Sequence, residues 1–289
     1  MISQLLDELT SELRSSSTTP GLDAELLLAH ILGQSREYLL THPEITLNAG
    51  QLQRLQQLKN KRLKSYPIAY LTNQREFWGH DFYVDESVLV PRPETELLVE
   101  EALRLLFGEK PRYVIDVGTG SGCIAVSLAQ EDASHTYLAT DLSHDALRVA
   151  YLNALKHEVE NRITFYRGHL LEPLFYPGYS LTPKKLLIIA NLPYVDFGQL
   201  HREADRPDYA GLKWEPRFAL DGGREGIELY DEFFRQMKNY GVSDSEVLME
   251  INPGQKDLLA PIIKTLFPQA HLSTKPDLAG RDRVMIVKL

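Results

Sequence analysis

Tyr113-Val114-Ile115-Asp116-Val117-Gly118-Thr119-Gly120-Ser121-Gly122 is the stretch that decides the fold. A short apolar run, interrupted only by Asp116, ends in three glycines at alternate positions, and the segment Cys123 to Glu131 that follows has helical character. The reading is strand, glycine turn, helix. Glycines there tolerate backbone angles closed to other residues and let a ligand approach the main chain, while the helix start offers N–H groups without partners. The next strand, Thr136 to Thr140, ends in Asp141. That is about 20 residues beyond the last glycine, where a carboxylate accepts the hydroxyls of a ribose. Together these features predict an adenosine-type cofactor held by Asp116, Gly118, Thr119, Gly120, Ser121, Gly122 and Asp141. The glycine spacing is G-x-G-x-G and not the G-x-G-x-x-G/A of dinucleotide binders. Asp116 adds negative charge where a pyrophosphate would be repelled and a cationic sulfonium tolerated, so S-adenosylmethionine fits better than NAD.

Working outward, a second apolar run, Leu186-Leu187-Ile188-Ile189-Ala190, leads into Asn191-Leu192-Pro193-Tyr194. An apolar run of this length that stops at a proline turn reads as a central parallel strand, whose carboxyl end is where open α/β sheets bind ligands. A planar side-chain amide, a backbone carbonyl beside a proline and a tyrosine face make a receptor for a flat group bearing an NH2. That group is a carboxamide or the exocyclic amine of a base.

The 289 residues divide by character. Met1 to about Ser65 is rich in Leu, Glu, Gln and Arg at helical spacing, as in Leu5, Leu6, Leu9 and Leu13. Phe77-Trp78-Gly79-His80-Asp81-Phe82-Tyr83-Val84 is aromatic around a glycine turn and predicts a hairpin. From Pro93 onward strands and helices alternate, which implies a mostly parallel sheet covered on both faces. The expected fold class is α/β, a Rossmann-like sheet suited to S-adenosylmethionine, with a small helical amino-terminal domain joined by a β-hairpin. The expected divisions are 1–75 for the helical domain, 76–92 for the hairpin linker and 93–289 for the catalytic domain.

A net charge of -9 argues against broad phosphate neutralisation. Nucleic acid is expected at most as an indirect partner, through the basic cluster Arg54, Lys59, Lys61, Arg62 and Lys64, which otherwise is a solvated helix face. The single Cys123 excludes an internal disulfide and has no evident catalytic partner. No apolar stretch approaches the roughly 18 residues of a membrane span, and no signal region opens the chain, so a cytoplasmic enzyme is expected.

These residues resemble the release-factor glutamine methyltransferases of the HemK/PrmC type. The likeness is carried in order by Pro67-Ile68-Ala69-Tyr70-Leu71, Glu76-Phe77-Trp78-Gly79, Pro91-Arg92-Pro93-Glu94-Thr95-Glu96, Asp116 to Gly122, Glu215-Pro216 with Ala219-Leu220-Asp221-Gly222-Gly223, and Gly280-Arg281-Asp282-Arg283. It implies methyl transfer from S-adenosylmethionine to the glutamine amide of the Gly-Gly-Gln loop in class I peptide chain release factors, with the helical domain gripping the factor. It also implies that Asn191, Pro193 and Tyr194 serve catalysis, that Arg92 and Asn191 to Tyr194 border the substrate, and that Asn191 reaches the methionine moiety. No metal is called for. Two positions depart from the family pattern. Leu192 stands where proline is usual, giving N-L-P-Y, a form shared with rRNA adenine dimethyltransferases, so nucleic-acid adenine N6-methylation is the alternative. His169 stands where an acid facing adenine is usual, which leaves His169 or Leu170 to shape that pocket. The long loop Asp196 to Gly223 is expected to cap the substrate site.

Overall fold

The structure is a computed structural model that describes residues 1–175, 181–182, 185–196, 198 and 210–289. It divides into two compact units, Met1–Gln74 with Arg202–Glu215, and Arg75–His201 with Pro216–Leu289.

In the first unit, helices Ile2–Leu13, Pro20–Leu32 and Ala49–Arg62 pack through Ile2, Leu9, Leu13, Leu27, Leu28, Leu55 and Leu58, all buried. Asn48 caps the third of these helices, its side chain accepting from Gln51 N while the Gln51 side chain accepts from Asn48 N, a reciprocal capping box. The second stretch of this unit was not anticipated from the sequence. There the Trp214 indole N–H donates to the Lys64 carbonyl at 3.1 Å and the ring lies 5.2 Å from that of Tyr66.

The basic cluster is partly spoken for. Arg62 Nε donates to Asp23 Oδ2 at 2.6 Å, with Asp23 2% exposed, and Lys59 pairs with Glu12. The Lys61 ammonium sits 5.0 Å from the centre of the Tyr66 ring. These contacts draw Lys59 and Arg62 into the helical packing, while Arg54, Lys61 and Lys64 lie on the exposed face.

The second unit opens with a hairpin, β1 (Arg75–Phe77) and β2 (His80–Phe82), antiparallel with Phe77 opposite His80. Trp78 and Gly79 both have positive φ, 53° and 71°, as a two-residue turn matched to strand twist requires. The left-handed Trp78 is held by Glu96, whose carboxylate accepts its backbone N–H at 2.9 Å. Phe77 and Phe82 are buried in the core of this unit, so the hairpin is part of its packing.

A seven-stranded sheet follows, in the order β5-β4-β3-β6-β7-β9-β8. Its strands are β3 (Tyr113–Val117), β4 (Thr136–Asp141), β5 (Ile163–Arg167), β6 (Leu187–Ala190), β7 (Glu246–Glu250), β8 (His271–Pro276) and β9 (Asp282–Lys288). β3 to β7 are mutually parallel, while β9 runs antiparallel to β7 and to β8. Alternate residues feed opposite faces. Val114, Leu187, Ile189 and Leu248 meet helices Glu96–Leu106 and Cys123–Glu131, whereas Ile115, Val117, Ile188 and Met249 meet Tyr230, Phe233, Phe234 and Leu259. The α/β architecture is as the alternation predicts, and no helix among the described residues is long and apolar enough to cross a membrane. β8 escaped the sequence reading: its pattern is polar and it ends at Pro276, both suited to a sheet edge. The alternation from Pro93 onward starts with a 3-10 turn, Pro93–Thr95, which leads into the α-helix Glu96–Leu106.

Removing one member of a buried ion pair leaves the other unpaired at a cost of about 3–5 kcal/mol. Arg62→Ala should therefore lower stability in urea unfolding by about 3 kcal/mol, whereas Lys61→Ala should cost less than about 1 kcal/mol. Equal small losses would show that the pair is not structural.

Candidate active site

Parallel pairing brings the carboxyl ends of five strands to one edge. Val117 is registered with Thr140 and with Ala190, and Ala190 with Met249. Gly118, Asp141, Asn191 and Glu250 consequently stand in a row, on either side of the point between β3 and β6 where strand order reverses. A cavity of about 550 Å³ opens there. Its wall includes Arg92, Thr95, Gly118, Thr119, Gly120, Ser121, Asp141, His169, Leu170, Asn191, Leu192 and Pro193.

Three of the expected residues lie elsewhere. Asp116 is 2% exposed and does not line the cavity; its Oδ2 accepts from the Thr119 hydroxyl at 2.6 Å and from Ala125 N at 3.3 Å. Its other oxygen is buried and has no partner among the described residues. Asp116 thus ties the glycine loop to the first turn of the following helix. Gly122, with φ 79°, is a packing glycine, since a Cβ there would come within 3.0 Å of Ala150 Cβ. Tyr194 sends its hydroxyl to Glu250 Oε1 at 2.7 Å and its ring is not on the cavity wall.

The remaining cradle fits an adenosine-type cofactor. Asp141 accepts one backbone N–H on each oxygen, from Gly120 at 2.9 Å and Ser143 at 2.8 Å, which leaves further lone pairs for two hydroxyls. A Cβ at Gly120 would meet nothing closer than 4.0 Å, so a glycine keeps the wall open there. The wall carries Asp141, Asp221, Glu228 and Glu232 against Arg92 and His169, a balance that favours a cation. His169 is engaged, its Nε2 lying 2.9 Å from Glu232 Oε1, and Leu170 adopts a left-handed φ of 52°. Cys123 also lines the cavity, but burial pushes its thiol up to about 12, which keeps it protonated.

The side of the cavity expected to meet a substrate is built on Asn191. Its Nδ2 donates to Thr95 Oγ1 at 3.1 Å, and its Oδ1 accepts no hydrogen bond among the described residues. Leu192 retains the N–H that a proline would lack, and that N–H donates to the Tyr230 hydroxyl at 3.3 Å. Tyr230 in turn donates to the Glu250 carbonyl, which closes the turn behind Asn191. Thr95 and Glu250 were missed. Glu250 ends an apolar strand in an acid, the same signal that marks Asp141. Burial holds its carboxyl above the usual carboxylate range, against the pull of Thr95, Tyr194 and Arg283.

The loop expected to cap the site is described in part. Residues 197 and 199–209 lie outside the described residues. Beyond them, Val195 N donates to the Leu220 carbonyl and Gly222 N to the Val195 carbonyl. These bonds bring Phe218, Ala219, Asp221, Gly222 and Gly223 to the cavity wall.

A PrmC N-terminal domain model matches residues 4–72, and a methyltransferase small domain model matches 93–194. A release factor glutamine methyltransferase of Coxiella burnetii is 35% identical over 287 residues, covering 99% of this chain and 98% of that protein. Another, from Koribacter versatilis, is 35% identical over 286 residues, covering 99% and 97%. The chain belongs to the release factor glutamine methyltransferase family. Among solved structures, the hMettl16 catalytic domain in complex with MAT2A 3'UTR hairpin 6 aligns with a TM-score of 0.54 at 14% identity, covering 84% of this chain and 82% of that one, a likeness of fold.

The titration of Asp116 gives a stability test. Burial raises its carboxyl to about 6, above an unfolded value near 3.8. The folded state then binds the extra proton between those pH values, so Asp116 costs stability as pH rises through that window and the cost is complete above about pH 6. At 1.36 kcal/mol per unit this is at most about 3 kcal/mol. Asp116→Asn, which keeps an acceptor for Thr119 and Ala125, should raise the melting temperature at pH 7.5, and the gain should vanish near pH 4. A gain independent of pH would remove the charge from the explanation.

Proposed function

We propose that this chain methylates the N5 amide nitrogen of the glutamine in the Gly-Gly-Gln loop of class I peptide chain release factors, with S-adenosylmethionine as methyl donor. The carrying observation is the Asn191 amide at the carboxyl end of β6, tethered through its nitrogen and with its oxygen unengaged at the cavity wall. Full-length similarity to proteins named for this activity supports the same substrate. The adenine alternative that Leu192 left open is not favoured, since the relatives matched over nearly the whole chain carry the glutamine methyltransferase name.

When bound, S-adenosylmethionine supplies an electrophilic methyl on a sulfonium. The chain's own task is to present the nucleophile. A glutamine nitrogen is a poor one because its lone pair is delocalised into the carbonyl. Asn191 Oδ1 and the Leu192 carbonyl accept its two N–H bonds, which fixes the nitrogen and favours loss of positive charge from it. Pro193 holds the turn that aims both acceptors, and Tyr194, anchored by Glu250 behind the cavity wall, braces that turn. Gly118 to Ser121 and Asp141 hold the nucleoside, with Leu170 and His169 beside the base. The acidic wall suits the cationic donor and Arg92 borders the substrate. Residues 1–75 serve as the recognition domain for the factor, and the reaction takes place in the cytoplasm, where release factors act.

Purified protein incubated with methyl-labelled S-adenosylmethionine should label a class I release factor, and should fail to label its loop Gln→Ala variant or rRNA. Asn191→Ala should lower turnover by about a hundredfold or more, as at other polar transition-state contacts. Label on rRNA alone would overturn the reading.

A further inference from the structure

Glu250 is 1% exposed, and both of its oxygens are engaged by hydroxyls that lead to the N-L-P-Y turn. Tyr194 donates to Oε1 and Thr95 to Oε2, each at 2.7 Å. A carboxylate only accepts, and a threonine hydroxyl has a single hydrogen. With that hydrogen given to Glu250, Thr95 turns lone pairs alone toward Asn191. The Asn191 amide must then direct its NH2 at Thr95, and its oxygen is left for the cavity. The order of donors is therefore fixed from the buried acid outward.

We propose that Glu250, acting through Thr95, is a positioning residue that sets the orientation of the Asn191 amide for an incoming amide N–H. The proposal rests on the glutamine methyltransferase reading for its substrate, but the orientation itself does not depend on it. A carboxyl in this place is costly as packing, because buried charge is expensive and an apolar residue of the same size would fill the space more cheaply. What an apolar residue could not do is accept two hydroxyl donors at once. A glutamine could not either: its Nε2 would donate to one of the two hydroxyls. The Tyr194 phenol, the more acidic of the two hydroxyls, keeps the remaining oxygen, so Nε2 falls to Thr95, whose hydrogen turns toward Asn191 and reverses the amide, offering NH2 to a substrate NH2.

Three variants of the full chain test this: Thr95→Val, which removes the hydroxyl at constant shape, Thr95→Ser, which restores it, and Glu250→Gln. Two readouts are taken. Hydrogen exchange of the Asn191 side-chain NH2, followed by nitrogen-15 NMR without substrate, reports the tether. Single-turnover methylation of a release factor, with cofactor affinity measured alongside, reports its use. In the wild type and in Thr95→Ser the amide protons should exchange slowly, and in Thr95→Val and Glu250→Gln they should exchange about tenfold faster or more. The single-turnover rate should fall about tenfold in the same two variants while cofactor affinity stays within about threefold, and Thr95→Ser should recover most of the rate. A merely structural role would lower thermal stability without separating rate from cofactor affinity. Wild-type exchange and rate in Thr95→Val, or in Glu250→Gln should Thr95→Val not fold, would overturn the proposal. Failure of the wild type to label any release factor would count against the proposed function, while the exchange measurement would still decide the orientation.

Discussion

The register of β3 against β6, Val117 beside Ala190, is the constraint on which the rest of the site depends. A parallel sheet gathers its strand ends at one edge, and this pairing puts the glycine turn after β3 next to the amide after β6. Slipping a strand by one residue would exchange the faces on which its side chains lie and dismantle both cores. The apolar residues that specify the register, Ile115 and Ile188 on one face and Val114, Leu187 and Ile189 on the other, therefore also set the distance between the glycine turn and the Asn191 amide. The geometry of the proposed site is inherited here from packing.

The strand ends bring polar groups into a dry layer, and the chain satisfies them in different ways. Asp116 braces the glycine loop with one oxygen and leaves the other unpartnered. Glu250 is bonded at both oxygens, and each bond reaches a residue of the substrate turn or its neighbour. Leu192, the departure from the usual proline, adds an N–H that would be costly unpaired, and Tyr230 accepts it. The Leu192 side chain also lies close over Gly118, where a Cβ would come within 3.1 Å of it, which ties the substitution to the glycine turn as well. The turn keeps its shape because its new donor has a partner.

Much of this was legible in the sequence. The strand, turn and helix beginning at Tyr113, the apolar run before Asn191 and the hairpin at Trp78-Gly79 each carry a local signal, a period or a glycine at a position needing positive φ. The strand-end positions of Gly118, Asp141 and Asn191 follow from it. What was not legible depends on long-range contact. Thr95 and Glu250 are 155 residues apart in sequence and meet only because the helix after Pro93 lies against β7. The same holds for Trp214 returning to Lys64 and Tyr66. Asp116 was read as facing the ligand because its place in the motif is local, whereas its burial behind the loop is set by the packing of the helix beginning at Cys123.

The most direct test of the account is a crystal structure with S-adenosylhomocysteine and a Gly-Gly-Gln peptide bound together. The glutamine nitrogen should lie between Asn191 Oδ1 and the Leu192 carbonyl, with Asn191 Nδ2 still on Thr95 and Asp141 on the ribose. A glutamine amide bound away from Asn191, or met by the Asn191 nitrogen, would contradict it.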